Sequence, residues 1–446
     1  MTAHPHLPSA DIDEKFESLH WQELNKAHLT ASDIAPVMER IRSHVSIIST
    51  QVGTSYEGRS IERFSLGDGP LALLAWTQMH GDEATATASV LDWLQILLTS
   101  APVGLPTDWR SRVTLHIIPM LNPDGAERRT RVNGQGIDMN RDAKALQSPE
   151  GRILHQQVAE LSPDIAFNLH DQNPYYTTGM SANPATIAFL APAYHKDKHV
   201  DGPRLRAKQL IAAMNETLQY YIPDCIGRYD DTYSFRSFGD NIAGSGASTI
   251  LIESGAAHND PNRQVARKMN VIALQTALES LLTQQFEQYS LADYYRIPDN
   301  RENGLCDIKI EHIGMGDREA FQADVSVTVD RKTQCSQIGA IGDLRTLYGF
   351  TTINGKGMYL TQGKGFAVNA AITLDDNAYL NFLKDGVTYF IDNGHQLTIE
   401  TRYPVQVVGE DKPNSPILPG DPAFFVIQDS AGPVAAVLDG HWMSLR

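Results

Sequence analysis

The feature that most constrains this chain is an alternation of strand-like and helix-like segments from about residue 64 to residue 280. A short apolar run, Leu71–Trp76, is followed by a longer segment with helical periodicity, Thr85–Thr99, and the same succession then recurs. Strands that alternate with helices pack as a sheet covered by helices. The pattern therefore predicts an α/β domain with a central sheet and helices on both faces. The further predicted strands are Val113–Pro119, Ile165–His170 and Thr249–Glu253, and the further predicted helices are Glu150–Leu161, Arg204–Tyr221 and Asn262–Tyr289.

The character of the sequence changes after Tyr295. Residues 298–304 are rich in Asp, Asn and Gly, which is typical of a linker. Beyond them, short alternating strands are separated by Gly, Asn and Asp turns, which predicts an all-β domain, either a sandwich or a barrel. We therefore expect three parts: a polar N-terminal arm over residues 1–30, the α/β domain over residues 31–296, and a C-terminal β domain over residues 297–446.

Charge and composition argue against several classes of partner. The formal net charge is −16, and no basic stripe suited to nucleic acid or to an anionic membrane is present. The apolar runs are too short to span a bilayer, and the first 14 residues do not resemble a secretory signal. Three isolated cysteines, Cys225, Cys306 and Cys335, fit a reducing compartment. We expect a cytoplasmic protein with no nucleic-acid or membrane partner, and a homo-oligomer remains open.

The segment His80-Gly81-Asp82-Glu83 lies where a predicted strand gives way to a predicted helix. Open α/β sheets place their ligands at such strand ends. An imidazole and a carboxylate both suit zinc, and the tight turn allowed by Gly81 lets His80 and Glu83 point at one ion. A histidine close to a glutamate is common on protein surfaces, so this segment alone is weak support for a metal.

A third candidate ligand, His170, closes the predicted strand Ile165–His170. A histidine in that position is usually a hydrogen-bonded core residue, but here it complements the pair His80 and Glu83. Two histidines and one glutamate leave a fourth zinc position for water, which is typical of catalytic rather than structural zinc. By contrast, the run from His195 to His199 is interpreted as a charged surface loop rather than a second metal site.

A basic segment follows the turn at residues 122–125 and contains Arg128, Arg129 and Arg131. It is either a solvated loop or an anion-binding loop, because a guanidinium binds a carboxylate through two hydrogen bonds. Asn140 adds a neutral donor nearby, and Asp138 could accept the free ring N–H of a metal-binding histidine.

Glu253 is a charged residue at the end of an apolar strand, with Gly255 two residues later. Its carboxylate is either a structural ion-pair partner or a site residue. A general base must reach the attacking water, and desolvation at a strand end raises the pKa of a carboxyl group toward the working range.

Taken in order, these segments resemble the zinc carboxypeptidase family typified by carboxypeptidase A. The matching motifs are His80-Gly81-Asp82-Glu83, Asn122-Pro123-Asp124-Gly125, Asp138-Met139-Asn140-Arg141, Leu169-His170 and Ile252-Glu253, within roughly residues 50–285. The resemblance implies an α/β fold with a mixed central sheet and helices on both faces, and one Zn²⁺ per chain bound by His80, Glu83 and His170. It also implies that Glu253 is the general base and later the proton donor.

The resemblance assigns further roles. Arg131 would steady the substrate carbonyl oxygen, with Arg128 and Arg129 as alternatives. Asn140 and Arg141 would hold the terminal carboxylate of the substrate, and Asp138 would be the hydrogen-bond partner of His80. The family's mobile tyrosine corresponds to Tyr229 or Tyr233, and Arg236 is a further candidate carboxylate contact.

One departure from the family pattern is Asp142, which adds negative charge beside the anion site. Three functions therefore stay open. The first is a metallocarboxypeptidase that hydrolyses the C-terminal amide bond of peptides through a zinc-activated water. The second is a zinc-dependent deacylase of small N-acyl amino acids, whose substrates also carry a free carboxylate. The third is a catalytically inactive binding or assembly protein.

Overall fold

The structure is a computed structural model that describes residues 10–99, 104–316, 321–394, 396–411 and 416–446. It contains two compact units, and the division lies between Glu302 and Asn303, a few residues after the boundary that we predicted at 296/297. No helix among the described residues is long and apolar enough to cross a membrane.

The first unit has alternating strands and helices. Its strands are β1 (Ile47–Thr54), β2 (Ser60–Leu66), β3 (Leu71–Thr77), β4 (Val113–Ile118), β5 (Ile165–Asp171), β6 (Thr177–Thr178), β7 (Ile187–Leu190), β8 (Ile226–Arg228), β9 (Ser248–Ser254) and β10 (Asn300–Arg301). Its helices are α1 (Ala10–Leu19), α2 (Ala31–Arg42), α3 (Thr85–Thr99), α4 (Pro123–Arg128), α5 (Pro149–Leu161), α6 (Gly202–Tyr221), α7 (Phe238–Gly244), α8 (Gln264–Thr283) and α9 (Leu291–Tyr295).

The central sheet has the strand order β1-β2-β4-β3-β5-β9-β7-β8. Strands β4, β3, β5 and β9 run parallel to one another, whereas β1, β2 and β7 each pair antiparallel with a neighbour. The mixed sheet predicted from the sequence is therefore confirmed. The antiparallel strands β1, β2 and β7 were not predicted.

Two apolar cores cover the two faces of this sheet. Side chains along β3 alternate between them, so that Leu73 packs against one core and Leu74 against the other. The larger core includes buried residues of α3, α6 and α8, and the smaller one includes residues of α5 and α7. Helices therefore lie on both faces, as predicted.

The expectation of a polar arm does not hold for residues 10–30, and residues 1–9 lie outside the described residues. Ile12 and Phe16 are one helical turn apart on α1 and are buried in the larger core. Beside them, Arg267 donates hydrogen bonds of 2.6 and 2.8 Å to the buried carboxylate of Asp92, and one of 2.8 Å to the carbonyl of Trp21. The short amphipathic period of α1 was missed because polar residues surround its few apolar ones.

The second unit, residues 303–446, is β-rich and contains several sheets. Its strands are β11 (Leu305–Met315), β12 (Phe321–Val329), β13 (Ser336–Gly342), β14 (Tyr348–Asn354), β15 (Tyr359–Thr361), β16 (Lys364–Ala367), β17 (Ile372–Leu374), β18 (Val387–Ile391), β19 (Leu397–Ile399), β20 (Gln406–Val408), β21 (Phe424–Asp429), β22 (Gly432–Leu438) and β23 (His441–Ser444). One helix, α10 (Asp376–Lys384), departs from the all-β expectation. Asp375 caps this helix by accepting a hydrogen bond of 2.7 Å from the backbone N–H of Ala378. Its residues Tyr379 and Leu383 are buried.

Candidate active site

The three candidate metal ligands meet at the carboxyl edge of the central sheet. His80 and Glu83 lie in the turn between β3 and α3, and His170 lies near the end of β5. Strands β3 and β5 are parallel neighbours in which Thr77 pairs with Leu169, so their ends face the same edge. On the other side of β5, His170 pairs in register with Glu253 of β9. The order of the strands thus brings distant parts of the chain to one point.

Local packing fixes the turn that carries His80 and Glu83. A side chain at Gly81 would place its Cβ 2.0 Å from the carbonyl carbon of Gly125, so only glycine fits there. Gln78, which precedes the turn, has a left-handed backbone with φ +48°, and its side-chain amide donates a hydrogen bond of 2.9 Å to the carbonyl of Gly81. Asn122 donates to the carbonyl of Met79 at 3.1 Å. These contacts hold the turn in one conformation.

Nitrogen and oxygen atoms of the three side chains converge closely. His80 Nδ1 lies 2.7 Å from Glu83 Oε1, His170 Nδ1 lies 2.7 Å from Glu83 Oε2, and the two Nδ1 atoms are 3.1 Å apart. Donors that each bind one ion at about 2.0–2.2 Å are separated by roughly 3 Å, so this set fits zinc. The side chains of His80 and His170 are each only 2% exposed, and that of Glu83 is 10% exposed.

The electrostatics of this cluster also favour a cation. Burial alone lowers the pKa of His80, but the carboxylates of Glu83 and Asp138 raise that pKa to about 9. Burial raises the pKa of Glu83, yet the adjacent His80 and His170 outweigh it and hold the pKa well below its usual range. The carboxylates therefore stabilise positive charge at this point, whether a proton or a metal ion carries it.

Asp138 is placed as the partner of His80. Its Oδ1 lies 3.3 Å from His80 Nε2 and accepts a hydrogen bond of 3.0 Å from the backbone N–H of Asn140. With Nδ1 directed at the metal position, this contact selects the tautomer that carries its proton on Nε2. His170 differs, because its Nε2 is buried and has no hydrogen-bond partner among the described residues.

Of the three arginines in the basic segment, the structure brings Arg131 to this cluster. Its Nε donates to Asp138 Oδ2 at 3.0 Å, and its Nη1 donates to Glu83 Oε1 at 3.3 Å. Arg128 instead pairs with Glu57 on the surface. Neither Arg128 nor Arg129 lines the cavity that opens over this cluster.

A cavity of about 330 Å³ opens over the cluster. Of the residues singled out from the sequence, it is lined by His80, Glu83, Arg131, Asn140, Arg141, His170, Tyr229 and Glu253. Tyr233 and Arg236, in contrast, are not among its lining residues. Sequence reasoning missed other lining residues, which include Asn168, Gln172, Tyr176 and Ser237. The strand alternation that places Asn168 on the same face as His170 was a usable signal.

Glu253 lies beside His170 in the wall of the cavity. Burial raises the pKa of its carboxyl group well above the usual value, and the nearby negative charge of Glu83 raises that pKa further. A carboxyl group in this environment binds a proton more readily than one in water. It has the position and the basicity expected of a group that accepts a proton and later returns it.

Asn140 and Arg141 form a polar edge on a second side of the cavity. Both belong to a single 3₁₀ turn, Met139–Arg141. Asn140 Oδ1 accepts a hydrogen bond of 3.0 Å from the backbone N–H of Phe238, and Arg141 Nη1 donates to Ser237 Oγ at 3.2 Å. Arg141 is exposed and lines the cavity, so it can contact a ligand.

Asp142, the departure from the family pattern, points away from this edge. Its carboxylate accepts hydrogen bonds from the backbone N–H groups of Gln147 and Ser148 at 2.9 and 2.8 Å, and from Ser148 Oγ at 2.7 Å. It therefore supports the start of α5 and is not among the residues that line the cavity.

Tyr229 faces the cavity together with Tyr176. The two hydroxyl oxygens are 3.4 Å apart, and the ring centroids are 6.0 Å apart. Burial, followed by the contact with Tyr176, raises the pKa of Tyr229 far above its usual value, so its hydroxyl group stays protonated and is able to donate. Of the two tyrosines considered from the sequence, Tyr229 is the one that contacts the cavity.

Comparison with known proteins confirms the resemblance for part of the chain. Residues 34–163 match the family model of the zinc carboxypeptidases. This segment contains His80, Glu83, Arg131 and Asn140, and it ends before His170. The match therefore does not include His170 or Glu253, which only the structure brings to the site.

One curated relative is Carboxypeptidase SOL1 of Arabidopsis thaliana, which is 29% identical over 209 residues. The aligned region is 39% of this chain and 42% of that relative, so the chain spans less than half of the relative's length.

Two solved bacterial structures are also similar. A metallo-carboxypeptidase from Burkholderia cenocepacia is 18% identical, with 58% of this chain and 70% of that chain covered and a TM-score of 0.45. A metallo-carboxypeptidase from Pseudomonas aeruginosa, in complex with (2-guanidinoethylmercapto)succinic acid, is 19% identical, with 58% and 70% covered and a TM-score of 0.43.

Proposed function

Because residues 34–163 carry the pattern of the zinc carboxypeptidases, we propose that this chain is a zinc-dependent metallocarboxypeptidase that hydrolyses the C-terminal amide bond of peptides. One observation carries the proposal. The Nδ1 atoms of His80 and His170 and both carboxylate oxygens of Glu83 converge within 2.7–3.1 Å, and Glu253 lies in the same cavity.

In this proposal His80, Glu83 and His170 hold one Zn²⁺, and Asp138 orients the ring of His80. When bound, zinc polarises the scissile carbonyl and lowers the pKa of water, which supplies a nucleophile near neutral pH. The three side chains are already gathered in the structure, so binding requires little rearrangement of the protein.

Glu253 is the proposed general base. It takes a proton from the attacking water and later passes that proton to the amine nitrogen that leaves. Its raised pKa suits both steps, because a group that transfers protons in both directions works best when its pKa lies close to the working pH.

Positive side chains on two sides of the cavity complete the proposed site. Arg131, beside Glu83, is directed to stabilise negative charge that develops on the carbonyl oxygen. Arg141 and Asn140 bind the free carboxylate of the substrate, and this contact places the terminal amide bond over the metal position.

Metal content and substrate preference test the proposal together. Untagged protein is analysed for zinc and assayed on peptides and on N-acyl amino acids, with and without a chelator. One zinc per chain and chelator-sensitive release of C-terminal residues are the expected results. Activity on N-acyl amino acids alone would assign the protein as a deacylase, and absence of both zinc and hydrolysis would indicate an inactive binding or assembly protein. A cytoplasmic location stays a prediction.

A further inference from the structure

The side chain of Asn168 is unusual among the polar groups of the cavity wall. It lies on β5 two residues before His170, and it is fully buried. Neither its Nδ2 nor its Oδ1 has a hydrogen-bond partner among the described residues, although the residue lines the cavity. A buried amide with both ends unsatisfied is costly, so a native structure normally provides a partner. A ligand in the cavity can be that partner, since the side-chain amide of an asparagine rotates readily about χ2.

The surroundings of Asn168 restrict what the ligand can be. Its neighbours in register on the sheet are Trp76 and Leu251, and Leu251 also lines the cavity. Across from it, a Cβ at Gly239 would lie 3.4 Å from Asn168 Nδ2, and the next residue, Asp240, presents a mostly buried carboxylate. This end of the cavity therefore combines the apolar side chain of Leu251 with one amide and one acidic group, and the buried indole N–H of Trp76 beside Asn168 also lacks a hydrogen-bond partner among the described residues.

The end of the cavity at Asn168 adjoins Asn140 and Arg141, the proposed binding site for the carboxylate of the substrate. Ser237 accepts a hydrogen bond from Arg141, the N–H of Phe238 donates to Asn140, and Gly239 then approaches Asn168. The three consecutive residues 237–239 thus connect the proposed carboxylate site to the side chain of Asn168. A substrate whose terminal carboxylate contacts Arg141 can therefore place the side chain of its terminal residue near Asn168.

We propose that this end of the cavity selects a carboxamide side chain on the terminal residue of the substrate, that is, glutamine or asparagine, and that Asn168 is the residue that determines this preference. The proposal rests on the proposed carboxypeptidase function. A carboxamide accepts a hydrogen bond from one end of the Asn168 amide and donates one to the other end, and its remaining N–H can donate to Asp240.

Other side chains satisfy the site less well. An aliphatic or aromatic side chain leaves both ends of Asn168 unpaired. A lysine or arginine side chain offers only donors, so Nδ2 of Asn168 stays unpaired. A glutamate side chain lacks the donor and is repelled by Asp240. Sites built to hydrogen-bond a polar group reject analogues that lack it, because their own polar groups are then left unpaired.

The test uses full-length wild-type protein and peptides that differ only in a C-terminal Gln, Leu, Lys or Glu. We expect kcat/KM for the Gln peptide to exceed that for each of the others by about tenfold or more. In the variant Asn168→Leu, which keeps the branch at Cγ but removes both polar ends, we expect the Leu peptide to become the better substrate. Asn173→Leu is the matched control, because Asn173 also lines the cavity but is exposed, and it should keep the wild-type order of substrates.

Calorimetric titration of the wild-type protein with free glutamine and free leucine gives a second measurement that does not require turnover or a folded variant. Tighter binding of glutamine supports the proposal, and equal or tighter binding of leucine overturns it. Peptide hydrolysis with a preference for Leu, Lys or Glu would also overturn it, while the proposed function would stand. If no peptide is hydrolysed, the proposed function fails, and the titration alone decides whether this end of the cavity recognises a carboxamide.

Discussion

The described residues of the first unit contain two clusters of two histidines and one carboxylate, and these clusters differ in almost every physical respect. In the cluster at the sheet edge, His80, Glu83 and His170 come from separate parts of the chain and are 2–10% exposed. In the other, His195, Asp197 and His199 belong to one short loop and are 45–61% exposed. The nitrogen–oxygen distances are 2.7 Å in the first cluster but 3.2 and 4.0 Å in the second.

The comparison shows that an ordered backbone is not enough to gather and desolvate three such side chains. The loop of the second cluster is itself well anchored, because Arg204 donates hydrogen bonds of 2.7 and 3.1 Å to the carbonyls of Lys198 and His199. Its side chains nevertheless extend into water, where binding an ion would cost side-chain entropy and compete with hydration. The sheet-edge cluster is gathered and desolvated by packing before any ion binds.

Removal of one proposed zinc ligand should have the largest effect on metal content and on activity. We expect His170→Ala to lose its zinc and to lower activity by well over a hundredfold, because removal of even an outer-sphere partner typically costs 10–100-fold. Elemental analysis and peptide hydrolysis measure both effects. His199→Ala is the matched control and should keep one zinc per chain. Full zinc occupancy in His170→Ala would remove His170 from the ligand set.

Glu253→Gln should separate metal binding from chemistry. The variant keeps the three ligands and the shape of the side chain but cannot accept a proton. We expect zinc content to remain at the wild-type level, while kcat falls by about 10²–10⁴-fold. Unchanged turnover would show that Glu253 is not the base.

Arg141→Ala tests the polar edge of the cavity. A hydrogen bond to a charged group contributes about 1.5–3 kcal/mol, so we expect KM for peptides to rise roughly ten- to a hundredfold, with a smaller change in kcat. Peptides with an amidated C-terminus lack the charge and should respond little to the substitution. An equal loss for both kinds of peptide would argue against a role in carboxylate binding.

A buried histidine away from the site extends the comparison to stability. Burial, with a contribution from nearby Arg63, lowers the pKa of His116 to about 4, and its Nδ1 lies 2.8 Å from Ser65 Oγ. Because this folded-state pKa lies below the unfolded value of about 6.5, the stabilising contribution is complete above pH ~6.5. It is lost as the pH falls through about 4.

The quantity to compare is the decrease in the free energy of unfolding between pH 7.5 and pH 4.5. We therefore expect this decrease to be about 1–2 kcal/mol smaller in His116→Asn than in the wild-type protein. Urea denaturation at both pH values measures this difference. His195→Asn is the exposed control. An identical acid response in His116→Asn and wild type would show that His116 is not the source of the effect.

Several predictions from the sequence are confirmed because they depend on local patterns. The strands β3, β4, β5 and β9 match their predicted ranges to within one or two residues, since each is an apolar run between turn-forming residues. The strands β1 and β2 were missed, because polar residues interrupt their apolar ones and neither strand carries a continuous apolar run. The helix α1 was missed for the same reason.

The sequence by itself determined which residue types could bind a metal and that they lie at strand ends, because motif spacing and apolar periodicity are local properties of the chain. Only the tertiary structure decided which of Arg128, Arg129 and Arg131 faces the site, that Asp142 points away from it, and that both ends of the Asn168 amide are unpaired. The direction of a side chain depends on neighbours distant in sequence, and these neighbours meet only when the parallel strands align at one edge of the sheet.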